Sequence, residues 1–226
     1  MIDRMVIMSN KALIISYVYP PAPGGGRPRL MRITKALKNA GFEPVVITVK
    51  QAISRGADPA ILEEVKNLAQ IERTESLDPK RLAYVVFSLK KSPAKNTIPQ
   101  FQQKGFFKRL WKAFSKFRNW LLVPDEYIGF VPFATARAIK LIRKEKPSII
   151  ITSTSPHSVQ LAGLILKKLF KIPWLVDFRD AWARHPYYFY PTRFHRWLSA
   201  KMEKWVINNA DLVLFAYGLE NAKSVY

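Results

Sequence analysis

The chain has 226 residues, no cysteine and a formal net charge of +21 at pH 7, with 49% apolar and 13% aromatic residues. This apolar content suits a sizeable core and excludes a globally disordered chain, while the lack of cysteine excludes disulfides and thiolate metal sites. No apolar run reaches the 18 residues of a membrane-spanning helix, and residues 1–5 do not resemble a secretory signal, so we expect a protein that is not exported.

The positive charge is concentrated in one region. Residues 101–150 carry 11 Lys and Arg against 3 Asp and Glu, whereas residues 51–100 carry 8 against 6. Such an excess attracts anions, and its concentration favours a local binding face over general solubility. No RNP, KH or helix-turn-helix signature accompanies it, so nucleic acid is not an expected partner.

Strand and helix patterns alternate along the chain. In chain order, we predict a strand at 11–18, a helix at 30–40, strands at 44–49, 71–74 and 82–89, helices at 106–122 and 132–144, a strand at 148–152, a helix at 158–170, a strand at 173–176, a helix at 194–208 and a strand at 211–216. A strand–helix–strand unit of this kind requires parallel pairing through a right-handed crossover. The sequence therefore predicts one doubly wound α/β domain over residues 1–226, with a mainly parallel sheet, helices on both faces and a longer excursion near 90–125.

A proline- and glycine-rich turn follows the first predicted strand. Residues 17–29 read Tyr-Val-Tyr-Pro-Pro-Ala-Pro-Gly-Gly-Gly-Arg-Pro-Arg, so Gly24, Gly25, Gly26 and Arg29 come just before the first helix. Glycines let the backbone approach a ligand, and a helix start favours anions. The spacing is neither G-x-G-x-x-G nor a P-loop. Either a phosphate-facing loop or a plain turn explains the run, and its place after the first strand favours the former.

The loop at 153–158, Ser-Thr-Ser-Pro-His-Ser, follows a predicted strand and opens a helix. Hydroxyls such as those of Ser155 and Ser158 would cap the helix or bind a polar ligand, and His157 would exchange a hydrogen bond with a sugar hydroxyl. A hydroxyl-rich helix cap with an incidental histidine is the alternative. At a strand end, we expect His157 not to be buried against the core. The three histidines lack partners at ligand spacing, so no metal site is expected.

The loop at 177–182, Asp-Phe-Arg-Asp-Ala-Trp, follows the next buried strand. It holds either a structural ion pair between Arg179 and the carboxylates of Asp177 and Asp180, or a site in which Arg179 or Asp180 points into a crevice. Ligands of open α/β sheets bind beyond the carboxyl ends of the strands. We therefore expect this loop, the loop at 153–158 and the turn at 20–26 to converge on one edge of the sheet.

The segment 101–123 contains six basic residues and no acid. Its aromatic and leucine residues recur at steps of three and four, which places them on one helical face, with lysines on another. This composition is typical of a helix that lies in an anionic membrane interface, and the contacts would be Lys108, Trp111, Lys112, Phe114 and Lys116. The alternative is a core-packing helix with a solvated basic face. The membrane interpretation predicts a cytoplasmic protein that is peripheral at the inner face of the cell membrane.

Several motifs occur in a specific order over most of the chain. They include Tyr-Pro-Pro-x-x-Gly-Gly-Gly-x-x-Arg at 19–29, Gly-Phe-Glu-Pro-Val-Val-Ile-Thr at 41–48, Pro-Asp-Glu-x-x-Gly at 124–129, Thr-Ser-Thr-Ser-Pro-His-Ser at 152–158, Trp-Leu-Val-Asp-Phe-Arg-Asp-Ala-Trp at 174–182, Glu203, and Ala-Asp-Leu-Val at 210–213. Together they resemble the first domain of the family 4 glycosyltransferases, which have the GT-B fold. One departure is Ala181, where the family pattern has proline.

The resemblance implies a Rossmann-like domain that is one half of a retaining transferase. Such an enzyme moves a sugar from a nucleotide-sugar donor to a saccharide or lipid-linked acceptor in envelope polysaccharide or glycolipid synthesis, and it implies no cofactor besides the donor substrate. The first domain mainly holds the acceptor. The resemblance implies that the glycine turn and Arg29 face the donor phosphates, that His157 is catalytic beside the transferred sugar, and that Ser155, Ser158 and the 177–180 loop border the cleft.

Enzymes of this family have a second Rossmann-like domain that carries most nucleotide contacts. We expect residues 1–226 to be the N-terminal half without that domain, and to be inactive alone. The alternative is a non-catalytic module that binds membranes or other anions and acts with a partner.

Overall fold

Strands and helices alternate in the computed structural model, which describes residues 9–21, 27–50, 59–79, 120–183 and 190–216. The strands are β1 (Ser9–Ile15), β2 (Glu43–Val49), β3 (Gln70–Thr74), β4 (Pro147–Ser153), β5 (Trp174–Phe178) and β6 (Leu212–Phe215). The α-helices are α1 (Arg27–Asn39), α2 (Pro59–Leu68), α3 (Val131–Glu145), α4 (Val159–Phe170) and α5 (Arg193–Asn209), and a short 3₁₀ helix (Ile128–Phe130) precedes α3. None of these helices is both long enough and apolar enough to cross a membrane.

The six strands form one parallel sheet in the order β3-β2-β1-β4-β5-β6. Ile14 of β1 lies between Val46 of β2 and Ile151 of β4. The chain winds outward in opposite directions from β1 and β4, so the loops that leave these two strands diverge and open a crevice at their carboxyl ends. The predicted doubly wound, parallel α/β fold is confirmed.

Apolar side chains pack on both faces of this sheet. On one face, Ile14 and Val46 pack in a cluster with Leu30 of α1 and Val65 of α2. On the other, their strand neighbours pack with residues of α3, α4 and α5, in a cluster that includes Leu13, Ile15, Val45, Ile47, Ala138, Leu164 and Val206. Alternation along each strand sends successive side chains to opposite faces, and helices cover both. The prediction of helices on both faces is therefore confirmed.

Helix α2 was not predicted from the sequence. Helix α2 has only ten residues. Val65 is buried, and Ile61, one turn earlier, packs against the same cluster. Two inward positions in a short segment give little helical periodicity, although a proline at the first helical position is a recognised start signal. The predicted strand at 82–89, and the predicted helix at 106–122 up to residue 119, lie outside the described residues.

Helix α4 lies directly on the indole of Trp174 in β5. A Cβ on Gly163 would be 2.5 Å from Trp174 Nε1 and Cε2. The indole is 1% exposed, and its Nε1 donates a hydrogen bond to Thr152 Oγ1 at 2.9 Å. Because this hydrogen bond and the surrounding core hold the ring in place, the helix can approach so closely only where it lacks a side chain.

We predict that Gly163→Ala lowers the free energy of unfolding by about 2 kcal/mol. Overpacking costs about 1–3 kcal/mol, and an approach of 2.5 Å to a ring that is held in place belongs at the upper end. The better helix propensity of alanine offsets about 1 kcal/mol of this cost. Urea denaturation would measure the net loss. Gly41→Ala is the comparison: its Cβ would meet nothing within 4 Å, but its φ of +85° disfavours alanine, so we expect a loss of about 1–2 kcal/mol for backbone strain alone. A Gly163→Ala protein as stable as the parent would contradict the proposed clash.

Candidate functional site

The buried carboxylate of Asp177 joins three elements at the carboxyl edge of the sheet. Arg29, in the first turn of α1, binds it through Nε at 3.0 Å and Nη2 at 2.5 Å, and Ser153 at the end of β4 donates its hydroxyl at 2.7 Å. Asp177 is 0% exposed, whereas 29% of the Arg29 side chain is exposed. The hydrogen bonds to Asp177 raise the pKa of Arg29. Arg29 is thus fixed against the ends of β4 and β5.

The loop after β5 is bound to the loop after β4 through Asp180. Ser155 Oγ donates to Asp180 Oδ2 at 2.8 Å, and Arg179 lies 3.3 Å from the same oxygen. The Arg179 amide also donates to Thr154 Oγ1 at 2.8 Å. Partial burial alone would raise the pKa of Asp180, but the hydrogen bond from Ser155 and the charge of Arg179 hold this pKa below its usual value. Arg179 therefore pairs with Asp180, while Asp177 takes its cation from Arg29.

His157 stacks on Trp182. The two rings are 5.2 Å apart between centroids and only 7° from parallel, and the residues are 3% and 1% exposed. The expectation that His157 is not buried is wrong, because the parallel pairing of β4 and β5 brings the Trp182 indole over the imidazole. Glu203 of α5 holds the backbone under Trp182: its carboxylate accepts the amides of Trp182 at 3.2 Å and Ala183 at 3.1 Å.

A carboxylate outside the loop caps α4. Asp125 accepts the Ser158 amide at 2.9 Å and the Tyr127 amide at 3.0 Å. The Ser158 hydroxyl itself makes no capping hydrogen bond, so the interpretation in which this serine caps the helix is wrong. Burial raises the pKa of Asp125, and the amide hydrogen bonds offset only part of that rise.

A cavity of about 170 Å³ opens beside the stacked rings. Its walls come from the segment before α3, the loop before α5 and α5 itself, and its lining includes Asp125, His157, Trp182, Tyr190, His195 and Ser199. Trp182 Nε1 and Ser199 Oγ are buried and have no hydrogen-bond partner among the described residues. A buried polar atom without a partner is costly, so a ligand or water that reaches these two atoms gains from bonding them.

The imidazole of His195 has a fixed orientation in this cavity. Its Nε2 lies 2.7 Å from the carbonyl oxygen of Trp120, and its Nδ1 lies 2.7 Å from Thr192 Oγ1. A carbonyl only accepts, so Nε2 carries a proton and donates it. His195 therefore fastens the chain at Trp120 to the start of α5.

The sequence analysis missed four residues that build this site: Asp125, His195, Ser199 and Glu203. The last three recur at four-residue steps on the buried face of α5. That repeat of polar residues on an inward helical face was the available signal. Asp125 and Glu203 were noticed only as members of motifs, with no role assigned.

The sequence signature of the family described as "Glycosyl transferase 4-like domain" matches residues 24–217. The chain belongs to this family. The resemblance found in the motifs is thereby confirmed at the level of the domain family. A search of curated protein sequences finds no match.

Solved structures similar to this glycosyltransferase 4-like domain are distant. The glycosyltransferase SsfS6 from Streptomyces sp. SF2575 is 18% identical with a TM-score of 0.39, over 74% of this chain and 39% of that one. The glycosyltransferase SnogD from Streptomyces nogalater is 14% identical with a TM-score of 0.41, over 92% and 43%. A short-chain dehydrogenase from Oenococcus oeni is 13% identical with a TM-score of 0.32, over 92% and 96%. The domain thus spans less than half the length of these two glycosyltransferases.

The structure brings together Arg29, Ser155, His157, Ser158 and the 177–180 loop of this glycosyltransferase 4-like domain at one sheet edge. Gly24, Gly25 and Gly26 lie outside the described residues, as do the predicted membrane contacts Lys108, Trp111, Lys112, Phe114 and Lys116. Within the described ranges, no group of three or more His, Asp or Glu side chains is placed to hold a metal ion.

We predict that carboxyl NMR titration finds the pKa of Asp125 above, and that of Asp180 below, the value of about 3.9 in an unfolded chain. Asp125 binds its proton more tightly when folded. Its contribution to stability therefore falls as pH rises from the pKa of Asp125 in the unfolded chain to its higher pKa in the folded protein. The pH dependence at Asp180 has the opposite sign, because its pKa is lowered on folding. Its contribution to stability is fully present above the pKa of the unfolded chain and is lost as pH falls through the pKa of the folded protein.

Ser155→Ala tests the cause at Asp180. Loss of the hydroxyl donor should raise the pKa of Asp180 and leave that of Asp125 unchanged. An unchanged Asp180 titration in this variant would show that the Ser155 hydrogen bond does not stabilise the carboxylate.

Proposed function

We propose that this domain is the N-terminal, acceptor-holding half of a retaining glycosyltransferase with the GT-B fold. The enzyme transfers a sugar from a nucleotide-sugar donor to a saccharide or lipid-linked acceptor in envelope polysaccharide or glycolipid synthesis. Family membership supports the class of reaction. The observation that carries the proposal is the cavity at the carboxyl edge of the sheet, into which His157, Trp182 and Ser199 face.

The chemistry of the cavity suits a hydroxyl-rich ligand. The indole N–H of Trp182 only donates, whereas the Ser199 hydroxyl donates or accepts, and neither has a partner among the described residues. Sugar hydroxyls satisfy both kinds of group. In this proposal His157 lies beside the transferred sugar and the acceptor hydroxyl, where its ring exchanges a hydrogen bond or a proton.

The donor phosphates lie on the other side of the cleft in this proposal. The glycine turn at 24–26 and the exposed part of Arg29 face them, and a second Rossmann-like domain supplies most nucleotide contacts. Ser155, Ser158 and the 177–180 loop form the near border of the cleft. The pair between Arg29 and Asp177 holds the start of α1 in position at this edge of the sheet.

We predict that His157→Ala, in the enzyme that contains this domain, lowers kcat about a hundredfold, the usual contribution of a positioned proton-handling group. His157→Phe is the matched control, because a phenyl ring preserves the stack on Trp182 but lacks the nitrogens. Its melting temperature should equal that of the parent while its kcat falls as in His157→Ala.

A second control separates binding from chemistry. Trp182→Phe keeps an aromatic ring under His157 but removes the indole N–H together with one ring of the indole, so it should raise KM for the acceptor about fivefold to tenfold and change kcat little. Retained activity with a large loss of melting temperature in the His157 variants would instead assign the histidine to the fold.

The concentration of positive charge at 101–150 favours a second function, a non-catalytic module that binds anionic membrane through residues 101–123. It predicts that the protein that contains this domain turns over no nucleotide sugar but binds vesicles. Lys108→Glu/Lys112→Glu/Lys116→Glu should then abolish cosedimentation with anionic vesicles. Sugar transfer from any member of a nucleotide-sugar panel would exclude this function, and unchanged cosedimentation of the triple variant would contradict its membrane contact.

A further inference from the structure

Helix α5 has two faces of different chemistry. His195, Ser199, Glu203 and Val206 point inward and are at most 5% exposed. Three large aromatic side chains point outward instead: Phe194 is 60% exposed, Trp197 54% and Trp205 56%. Aromatic residues at steps of three and eight share one helical face. A row of three exposed aromatic residues on one helix of a soluble domain marks an interaction surface.

The outward face of α5 also carries charge of one sign. Arg193, Arg196, Lys201 and Lys204 are all exposed. The one acid of the helix, Glu203, is turned inward and binds the backbone of the Trp182 loop. Lys201 Nζ lies 5.6 Å from the centre of the Trp197 ring. Tryptophans beside lysines and arginines are characteristic of helices that lie in the interface of an anionic membrane.

The exposed apolar surface continues beyond the helix. Trp120 and Leu121 are 52% and 60% exposed, and the Trp120 ring lies 5.8 Å from that of His195. The hydrogen bond from His195 to the Trp120 carbonyl keeps this pair beside the first turn of α5. We call this surface, which consists of the outward face of α5 together with Trp120 and Leu121, the α5 face.

We propose that the α5 face docks on an anionic lipid surface. This inference rests on the lipid-linked acceptor of the proposed function, and it assigns the membrane contact to a different element from residues 101–123. The charge of the face selects the partner. A second copy of a chain with a net charge of +21 would bring like charges together, which opposes association. A single-stranded nucleic acid binds aromatic and basic residues in a groove, whereas one helix presents a convex face.

Docking through this face would place the candidate site beside the membrane. His195 and Ser199 line the cavity from the inner side of α5, and the aromatic row lies on the outer side of the same helix. A lipid-linked acceptor would therefore meet the cavity next to the surface that holds its lipid.

The test is cosedimentation of the purified chain with vesicles of phosphatidylcholine alone or with 30 mol% phosphatidylglycerol. The parent should bind the anionic vesicles, and Lys201→Glu/Lys204→Glu should bind them at least tenfold more weakly. Lys140→Glu/Lys171→Glu makes the same charge change on exposed residues of α3 and the end of α4, and should bind like the parent apart from a small general effect.

Tryptophan fluorescence locates the contact. Lipids with a nitroxide on the acyl chain should quench the tryptophan fluorescence of the parent, whereas Trp120→Phe/Trp197→Phe/Trp205→Phe should still bind but lose most of the quenching. Trp197→Ser/Trp205→Ser should lose binding about tenfold with an unchanged melting temperature.

Three results would overturn the inference. The first is that variants of the α5 face bind anionic vesicles like the parent. The second is that the parent binds neutral and anionic vesicles equally. The third is that these variants keep vesicle binding but lose dimer formation or RNA binding. Loss of binding in the Lys108/Lys112/Lys116 variant alone would refute docking through α5 and leave the proposed function standing. Sugar transfer is measured separately, so failure of catalysis would not affect the outcome.

Discussion

The carboxylate of Asp177 is buried at the carboxyl end of β5, next to β4, one of the two strands at which the strand order reverses. The arrangement of the loops at this edge of the sheet depends on how its charge is neutralised. An uncompensated buried charge costs several kcal/mol, so Arg29 and the Ser153 hydroxyl cannot leave without a large loss of stability. The two partners come from α1 and β4, while Asp177 belongs to β5. Neutralising one charge therefore joins three elements, and with them the loop of His157 that follows β4.

Two further acids organise the loops above this edge by accepting backbone amides. Asp125 binds the start of α4 beside His157, and Glu203 binds the chain beneath Trp182. Each acid lies on an element distant in sequence from the loop that it holds. The stacked rings are thus positioned through their backbones, and this leaves polar side-chain atoms such as Trp182 Nε1 for a ligand. Such preorganisation is what a binding site requires, since the ordering cost is met during folding.

Periodicity in the sequence predicted the order of the elements well, because parallel strands covered on both faces read as short apolar runs between amphipathic helices. The site loops were predicted for the same reason: they follow those runs. The stacking of His157 could not be predicted, since Trp182 lies 25 residues away and arrives only when β5 pairs with β4. A hydroxyl cap at Ser158 was one of two interpretations because nearby hydroxyls offered a local explanation, whereas the acceptor that caps α4 is Asp125, 33 residues upstream. Helix α2 was too short to show a period.

Helix α5 links the interior of the site to the surface of the domain. The need to hold the Trp182 loop turns Glu203 inward, and the outward face keeps four basic residues and no acid. The charge of the surface is therefore partly a consequence of how the site is built. With the α5 face on a membrane, as proposed, the cavity lies about one helix diameter, roughly 10 Å, from the lipid head groups. A sugar attached to a lipid spans that distance through its linking group, so the acceptor reaches the cavity while its hydrocarbon remains in the bilayer.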